Sequence, residues 1–381
     1  MNGRETSAAM ERRLDAAIAR AIGEKRIVGA VVLVAGGGRL LYRRAAGFAD
    51  REAGRAMAED AIFRLASVTK PLVTSLAMQL VEEGRIRLED PVSRYLPQFR
   101  PRLADASEPV ITLRNLVLHT AGLSYRFQEP PGSAYHALDV SDGFDRAGVA
   151  LAENLCRLAA APLRFAPGER WLYSLATDVL GAVIEAVLET KLPDAVRARI
   201  TAPLGMADTG FRVVDPVRLA VAYADGRPEP VAMSDATALP YLEGVVRFAP
   251  GAIFHPGSYA SGGAGMAGTA GDFLLFLEAI RSGGAPILGS GTVAEMMRDH
   301  VGPEAEALGP GWGFGYGWAV LADEAAACSP QSPGTIQWGG VYGHSWFVDP
   351  ARALSVVAFT NTALEGDTGA FPGEIRDAVY G

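Results

Sequence analysis

Cysteine, lysine and histidine are all scarce in this chain of 381 residues, and each scarcity closes off a class of chemistry. The two cysteines, Cys156 and Cys328, have neither metal-ligand nor redox spacing and cannot build a disulfide framework. Free thiols in a reducing compartment are the expectation, with the cytoplasm as the default location. The five histidines, His119, His136, His255, His300 and His344, include no His-x-His or His-Glu-x-x-His, so no metal centre is expected. Positive charge is short as well. Against 43 Asp and Glu there are 35 Lys and Arg, and the net charge of −8 argues against nucleic acid or an anionic membrane as partner. The longest apolar run, Ile27–Ala35, falls far below the ~20 residues of a membrane span and reads as a buried strand. Residues 1–25 read as a polar start and an amphipathic helix, with Leu14, Ile18 and Ile22 on one face, rather than as a signal peptide.

Two familiar catalytic signatures are missing too. No serine has glycine both two residues before and two residues after it, so the strand-turn-helix nucleophile of a Ser-His-Asp hydrolase is not announced. The glycine-rich Ser261–Gly265 is followed by no lysine and reads as a close-packed turn, not a phosphate cradle. No cofactor is expected.

The elements present are strands at both ends with helices between. Ile27–Ala35 and Leu40–Phe48 flank Gly36-Gly37-Gly38, a hairpin signal. A helix from Ser67 to about Glu83 carries Pro71 in its first turn, where a missing amide proton costs little, and Gly84 at its end. The stretch from about Leu88 to Gly268 is helical and loop-rich. A further helix at Ala270–Ile280 precedes strands at Trp312–Val320, Thr335–Val341, Ser345–Asp349 and Leu354–Asn361, with a closing helix at Gly373–Val379. The pattern predicts an α/β (α+β) fold. Residues 1–85 and 269–381 form a discontinuous sheet domain, residues 86–268 a mainly helical insertion, and the active site lies in the cleft between them.

Ser67-Val68-Thr69-Lys70 carries the strongest chemical signal. A serine and a lysine three residues apart share one helix face and bring a nucleophile and a potential base together without histidine. Lys25, Lys70 and Lys191 are the only lysines in the chain. An ordinary lysine, with a pKa near 10.4, is almost wholly charged at neutral pH, so Lys70 acts as a base only if it is desolvated or crowded by another cation.

Four further segments follow in order: Leu118-His119-Thr120-Ala121-Gly122-Leu123, Tyr173-Ser174-Leu175, Ser261-Gly262-Gly263-Ala264-Gly265 and Trp338-Gly339-Gly340-Val341. With Pro203-Leu204-Gly205-Met206 they complete an ordered set. This series resembles the serine β-lactamase and penicillin-binding protein superfamily, and most of all its family VIII carboxylesterases, with class C β-lactamases as cousins. The resemblance implies an antiparallel sheet flanked by helices. It also implies Ser67 as nucleophile, Lys70 and Tyr173 as base and proton shuttle, and an oxyanion hole from the amides of Ser67 and Val341. Which of Lys70 and Tyr173 is the base stays open, because the two titrate together. His119 falls in a segment whose implied role is structural.

Two departures mark the chain off from the β-lactamases. Leu175 stands where their pattern has asparagine, and Trp338-Gly339-Gly340 stands where they carry Lys-Thr-Gly, whose cation and hydroxyl can hold a substrate carboxylate. Trp338, Gly339, Gly340, His344, Tyr125, Phe127 and Trp346 are the expected substrate-binding residues, with Tyr135 and Trp171 also near the cleft. The resemblance implies a small, short-chain carboxylic ester as the partner, and the two departures count against lactams; the oligomeric state is not indicated. A weak β-lactamase, a D-stereospecific peptidase or acyltransferase, and a non-catalytic binder of acyl or peptidoglycan fragments are the alternatives.

Overall fold

The two ends of the chain meet in one antiparallel sheet. A computed structural model of the chain describes residues 3–242 and 244–381. Eight strands make the sheet: β1 (Gly29–Gly36), β2 (Arg39–Asp50), β3 (Arg55–Ala56), β4 (Trp312–Phe314), β5 (Ala319–Leu321), β6 (Ile336–Gly340), β7 (His344–Asp349) and β8 (Leu354–Thr360). Their spatial order is β4-β5-β6-β7-β8-β1-β2-β3. β1 pairs with β8 from Ala30 opposite Thr360 to Gly36 opposite Leu354, so the first strand of the chain is held by the last.

β1 is a continuous apolar run because both of its faces are covered. Val32 and Val34 join Leu14 and Ile18 of helix α1 (Gly3–Gly23), and Phe371 and Ile375 of a C-terminal helix (Ala370–Tyr380), in one cluster. Val31 and Leu33 face a larger core that includes Leu72, Val179, Phe273 and Trp318. The hairpin after β1 turns at Gly37 and Gly38, whose φ values of 57° and 79° suit glycine.

The inner core is organised around helix α2 (Thr69–Glu82), whose residues Thr69–Leu80 are all buried. Helix α3 (Ala176–Leu188) packs on α2, and helix α4 (Ala270–Arg281) packs on β8 and β1. Thr269 caps α4, its Oγ1 accepting from the Asp272 amide at 3.1 Å. The architecture is thus an antiparallel sheet flanked by helices, with an inserted helical region, as the element pattern predicts.

Three local expectations are corrected. Ser67 does not open the α-helix: it lies on a 3₁₀ turn, Ala66–Val68, and α2 starts at Thr69. The single strand expected over Trp312–Val320 is two strands, β4 and β5, because the chain reverses through Gly315-Tyr316-Gly317, with Gly317 at φ 99°. The inserted region also holds a hairpin, Thr237–Tyr241 against Gly244–Phe248. Its strands are short and one contains Pro240, so its alternation is easily read as loop. No described helix is long and apolar enough to cross a membrane.

Candidate active site

Ser67 sits on a turn that the rest of the core holds under strain. Ala66 has φ 44°, an unusual value for a residue with a Cβ, and both neighbouring segments pin it. The Leu65 amide donates to the Met266 carbonyl (2.8 Å), and the Met266 amide donates to Thr69 Oγ1 (3.2 Å). Ser67 is left partly exposed while its neighbours Ala66 and Val68 are buried.

Lys70, one turn later, is only 1% exposed. Its Nζ lies 2.8 Å from the Gly263 carbonyl oxygen, to which it donates, and 3.1 Å from Ser67 Oγ. Nζ also lies 4.6 Å from the centre of the Tyr173 ring and 5.3 Å from that of Tyr125. The Tyr173 hydroxyl donates to Ser67 Oγ at 2.6 Å. Ser67 Oγ therefore stands between an amine and a phenol, both in hydrogen-bond reach.

Burial sets the electrostatics. It lowers the Lys70 pKa from 10.5 to about 7, against the opposing pull of Asp178 and Asp367. Burial also raises Asp178, to about 6, opposed by the nearby Ser261 hydroxyl and by the Lys70 charge. Burial pushes the Tyr173 phenol well above 10, outweighing its hydrogen bond with Ser67. Burial therefore brings the neutral amine within reach at neutral pH and keeps the phenol protonated.

Strand β6 lies beside this turn. A Cβ at Gly340 would clash with the Leu65 carbonyl oxygen and stand 3.2 Å from Val68 Cγ2, so only glycine allows the strand this close. β5 pairs with Ile336 and Gln337, which leaves the Trp338–Val341 edge without a strand partner on that side. The Trp338 ring packs 5.1 Å from Tyr173 and 5.4 Å from Phe314. Phe127 stacks on Tyr125 at 4.7 Å, and Tyr241 of the unexpected hairpin meets Phe127 edge-on at 5.6 Å. Trp171 stacks on Tyr173 at 6.5 Å. Tyr125, Phe127, Trp171 and Trp338 thus gather round Tyr173.

Other expected residues stand elsewhere. Trp346 is 1% exposed and packs edge-on against Phe273 (5.6 Å) and Trp318 (6.3 Å) beneath α4, so it is a core residue and not a substrate contact. His344 is buried as well; its Nε2 lies 2.7 Å from the Arg64 carbonyl oxygen, and burial lowers its pKa to about 4. A neutral ring bonded to backbone ties β7 to the segment before Ser67 and does not reach substrate. Tyr135 is buried, its hydroxyl accepting from the Ser124 amide at 2.8 Å. Leu175 is fully buried, so it offers a substrate nothing at all. His119 serves the backbone: its Nδ1 accepts from the Ser174 amide (3.2 Å), and its carbonyl accepts from Leu172 (2.9 Å).

Sequence reasoning missed Asp178, Asp367 and Tyr241. Asp178 carried a faint signal, as an acid directly before the apolar stretch Val179–Val183. Asp367 lies in a loop that gives none.

Comparison with known proteins places the chain in a family. The Beta-lactamase family model matches residues 14–378. Esterase EstB of Burkholderia gladioli is 55% identical over 98% of this chain and 96% of its own. The solved structure of EstCE1, described as a hydrolase with promiscuous acyltransferase activity, superposes with a TM-score of 0.96 at 47% identity, covering 98% of this chain and 99% of that one. Simvastatin synthase from Aspergillus terreus, in its LovD6 mutant form, shares the fold at a TM-score of 0.79 and 23% identity over 98% and 95% of the two chains. With its model match running almost end to end, the chain belongs to the Beta-lactamase family and stands among that family's esterase-like members.

Proposed function

We propose that the protein is a serine hydrolase of carboxylic esters, working through an acyl-enzyme on Ser67. The observation that carries the mechanism is the position of Ser67 Oγ, between Lys70 Nζ at 3.1 Å and Tyr173 Oη at 2.6 Å. Lys70, neutral by burial, takes the Ser67 proton as Oγ attacks the ester carbonyl. The amides of Ser67 and Val341 receive the oxyanion; such a donor is typically worth about 2.7–4 kcal/mol of barrier. Tyr173 gives its proton to the departing alkoxide and regains one from the protonated Lys70. Water then attacks the acyl-enzyme, and the same groups run in reverse to free Ser67 and the acid.

The kinship with Esterase EstB supports an ester as substrate. The promiscuous acyltransferase activity of EstCE1 supports a second use of the same intermediate, in which an alcohol or amine replaces water as acceptor. Short acyl chains suit a site walled by aromatic rings, and the cytoplasm suits two cysteines that are exposed and unbridged. Ser67→Ala should abolish release of p-nitrophenol from p-nitrophenyl butyrate and abolish the acyl adduct in the intact mass. Turnover that survives the substitution refutes the scheme.

A further inference from the structure

Asp367 stands on the loop between β8 and the C-terminal helix, where neither mechanism nor motif uses it. Its carboxylate presses on Gly339: a Cβ at Gly339 would clash with Asp367 Oδ1. The neighbouring Gly340 amide favours the charged form of the same carboxylate. Asp367 is half-buried, and its charge is felt by both Lys70 and Tyr173. Here the β-lactamase pattern carries a threonine hydroxyl that can help hold a substrate carboxylate. In this chain, Gly339 and Asp367 are a matched pair: the glycine leaves room that the protein fills with a carboxylate of its own.

We propose that Asp367 is a specificity-determining residue that excludes substrates bearing a carboxylate on the alcohol side of the scissile bond, by occupying the space over Gly339 and the Gly340 amide. The inference rests on the esterase reading above. The alcohol side is indicated because Gly339, against which the Asp367 carboxylate lies, adjoins Trp338, whose ring packs 5.1 Å from that of Tyr173, the proton donor to the leaving alcohol. Lys70 gives a substrate anion little compensation, since burial favours its neutral form. A neutral alcohol meets no such opposition.

The groups facing Asp367 are Asp225, Lys70, Tyr173 and Tyr241. Burial, assisted by Asp225 and opposed by the Gly340 amide and Lys70, raises Asp367 to about 7. Asp225 is itself tied down, accepting from the Leu364 and Glu365 amides at 2.7 Å each. Asp367 is therefore ionised above about pH 7 and becomes neutral below it, so rejection of an anionic alcohol should weaken as the pH falls.

The test compares two butyrate esters, one of 4-hydroxybenzoic acid and one of its methyl ester, which differ by a single carboxylate. The quantity read is the ratio of kcat/KM, anionic over neutral. Titration of Lys70 and Tyr173 is common to both esters and cancels in the ratio. Asp367→Asn should raise the ratio at least tenfold, and Asp367→Glu should keep it low. A ratio unchanged in Asp367→Asn overturns the proposal. Should that variant fail to fold, the wild-type ratio between about pH 5.5 and 8.5 decides, because the benzoate, an acid in the carboxyl range near 4, stays ionised throughout. A ratio falling as pH rises through 7 supports the proposal, and a flat one overturns it. Wild type that cleaves neither ester overturns the esterase reading and the proposal with it; wild type that cleaves both equally overturns the proposal alone.

Discussion

The two faces of the central sheet are built to different ends. On the outer face, Leu14, Ile18, Val32, Val34, Phe371 and Ile375 close an apolar layer whose only task is burial. On the inner face, an equally buried region contains Lys70, Asp178 and His119, each with a pKa displaced by desolvation. Apolar burial is favourable by roughly 25 cal/mol per Å², whereas burying an ionisable group works against folding. The difference shows where the molecule gives up stability: beside Ser67, where a neutral amine is useful, and not behind β1, where it is not.

Substitutions that separate activity from stability sharpen this contrast. The largest effect on rate belongs to Ser67→Ala, with a loss on the order of 10⁴-fold or more in kcat, as expected when one member of a group acting as a unit is removed. That loss is read from p-nitrophenol release, while the thermal unfolding midpoint should stay close to wild type. Lys70→Met comes next, with roughly 10²–10⁴-fold lower kcat from loss of the general base. The same variant should be more stable, by about 1–4 kcal/mol, because an apolar side chain replaces a buried ionisable one. The sign follows from linkage. The folded-state pKa of Lys70 lies below its ordinary 10.5, so the unfolded chain binds the extra proton between about pH 7 and 10.5. Wild-type stability accordingly rises with pH across that window, and Lys70→Met flattens the rise; urea midpoints at pH 7 and pH 9 read both effects.

Gly340→Ala should cost about 10²-fold in kcat, the penalty of a displacement near 1 Å, since its Cβ would push β6 away from Leu65 and the Ser67 turn. KM for a small ester should move far less. The smallest effect on rate is on the outer face. Phe371→Ala should lower stability by about 3–5 kcal/mol and leave kcat per folded molecule within twofold. If it lowers kcat tenfold while the protein remains folded, the two faces are not independent.

Much of this was legible in the residues, and the limits have physical causes. Strands β1 and β8 could be read because they are long apolar runs, and the hairpin turn because it has three glycines. Ser67, Lys70 and Tyr173 lie in three segments whose order matters more than any one of them. The failures concern direction and burial. Trp338 and Trp346 pair across β6 and β7 on the same inner face, yet Trp338 meets Tyr173 while Trp346 lies beneath Phe273 of α4, and strand alternation gives the face without revealing how far along it the cleft extends. That is why Trp346 and His344 looked like site residues and proved to be core. Asp367 was hidden for another reason: its partner, Gly339, is nearly thirty residues distant, and no local pattern links a loop acid to a glycine in a strand. The direction of the Tyr173 shift was also beyond reach, since it depends on how completely the ring is buried.

The most direct test of a burial-neutralised Lys70 is the pH dependence of kcat/KM for p-nitrophenyl butyrate, in wild type and in Asp178→Asn. Wild type should show a rising limb with an apparent pKa near 7. Asp178 opposes the lowering of Lys70, so its neutralisation should move that limb to lower pH. A limb near 10, or one near 7 that does not move in Asp178→Asn, would contradict Lys70 as the base.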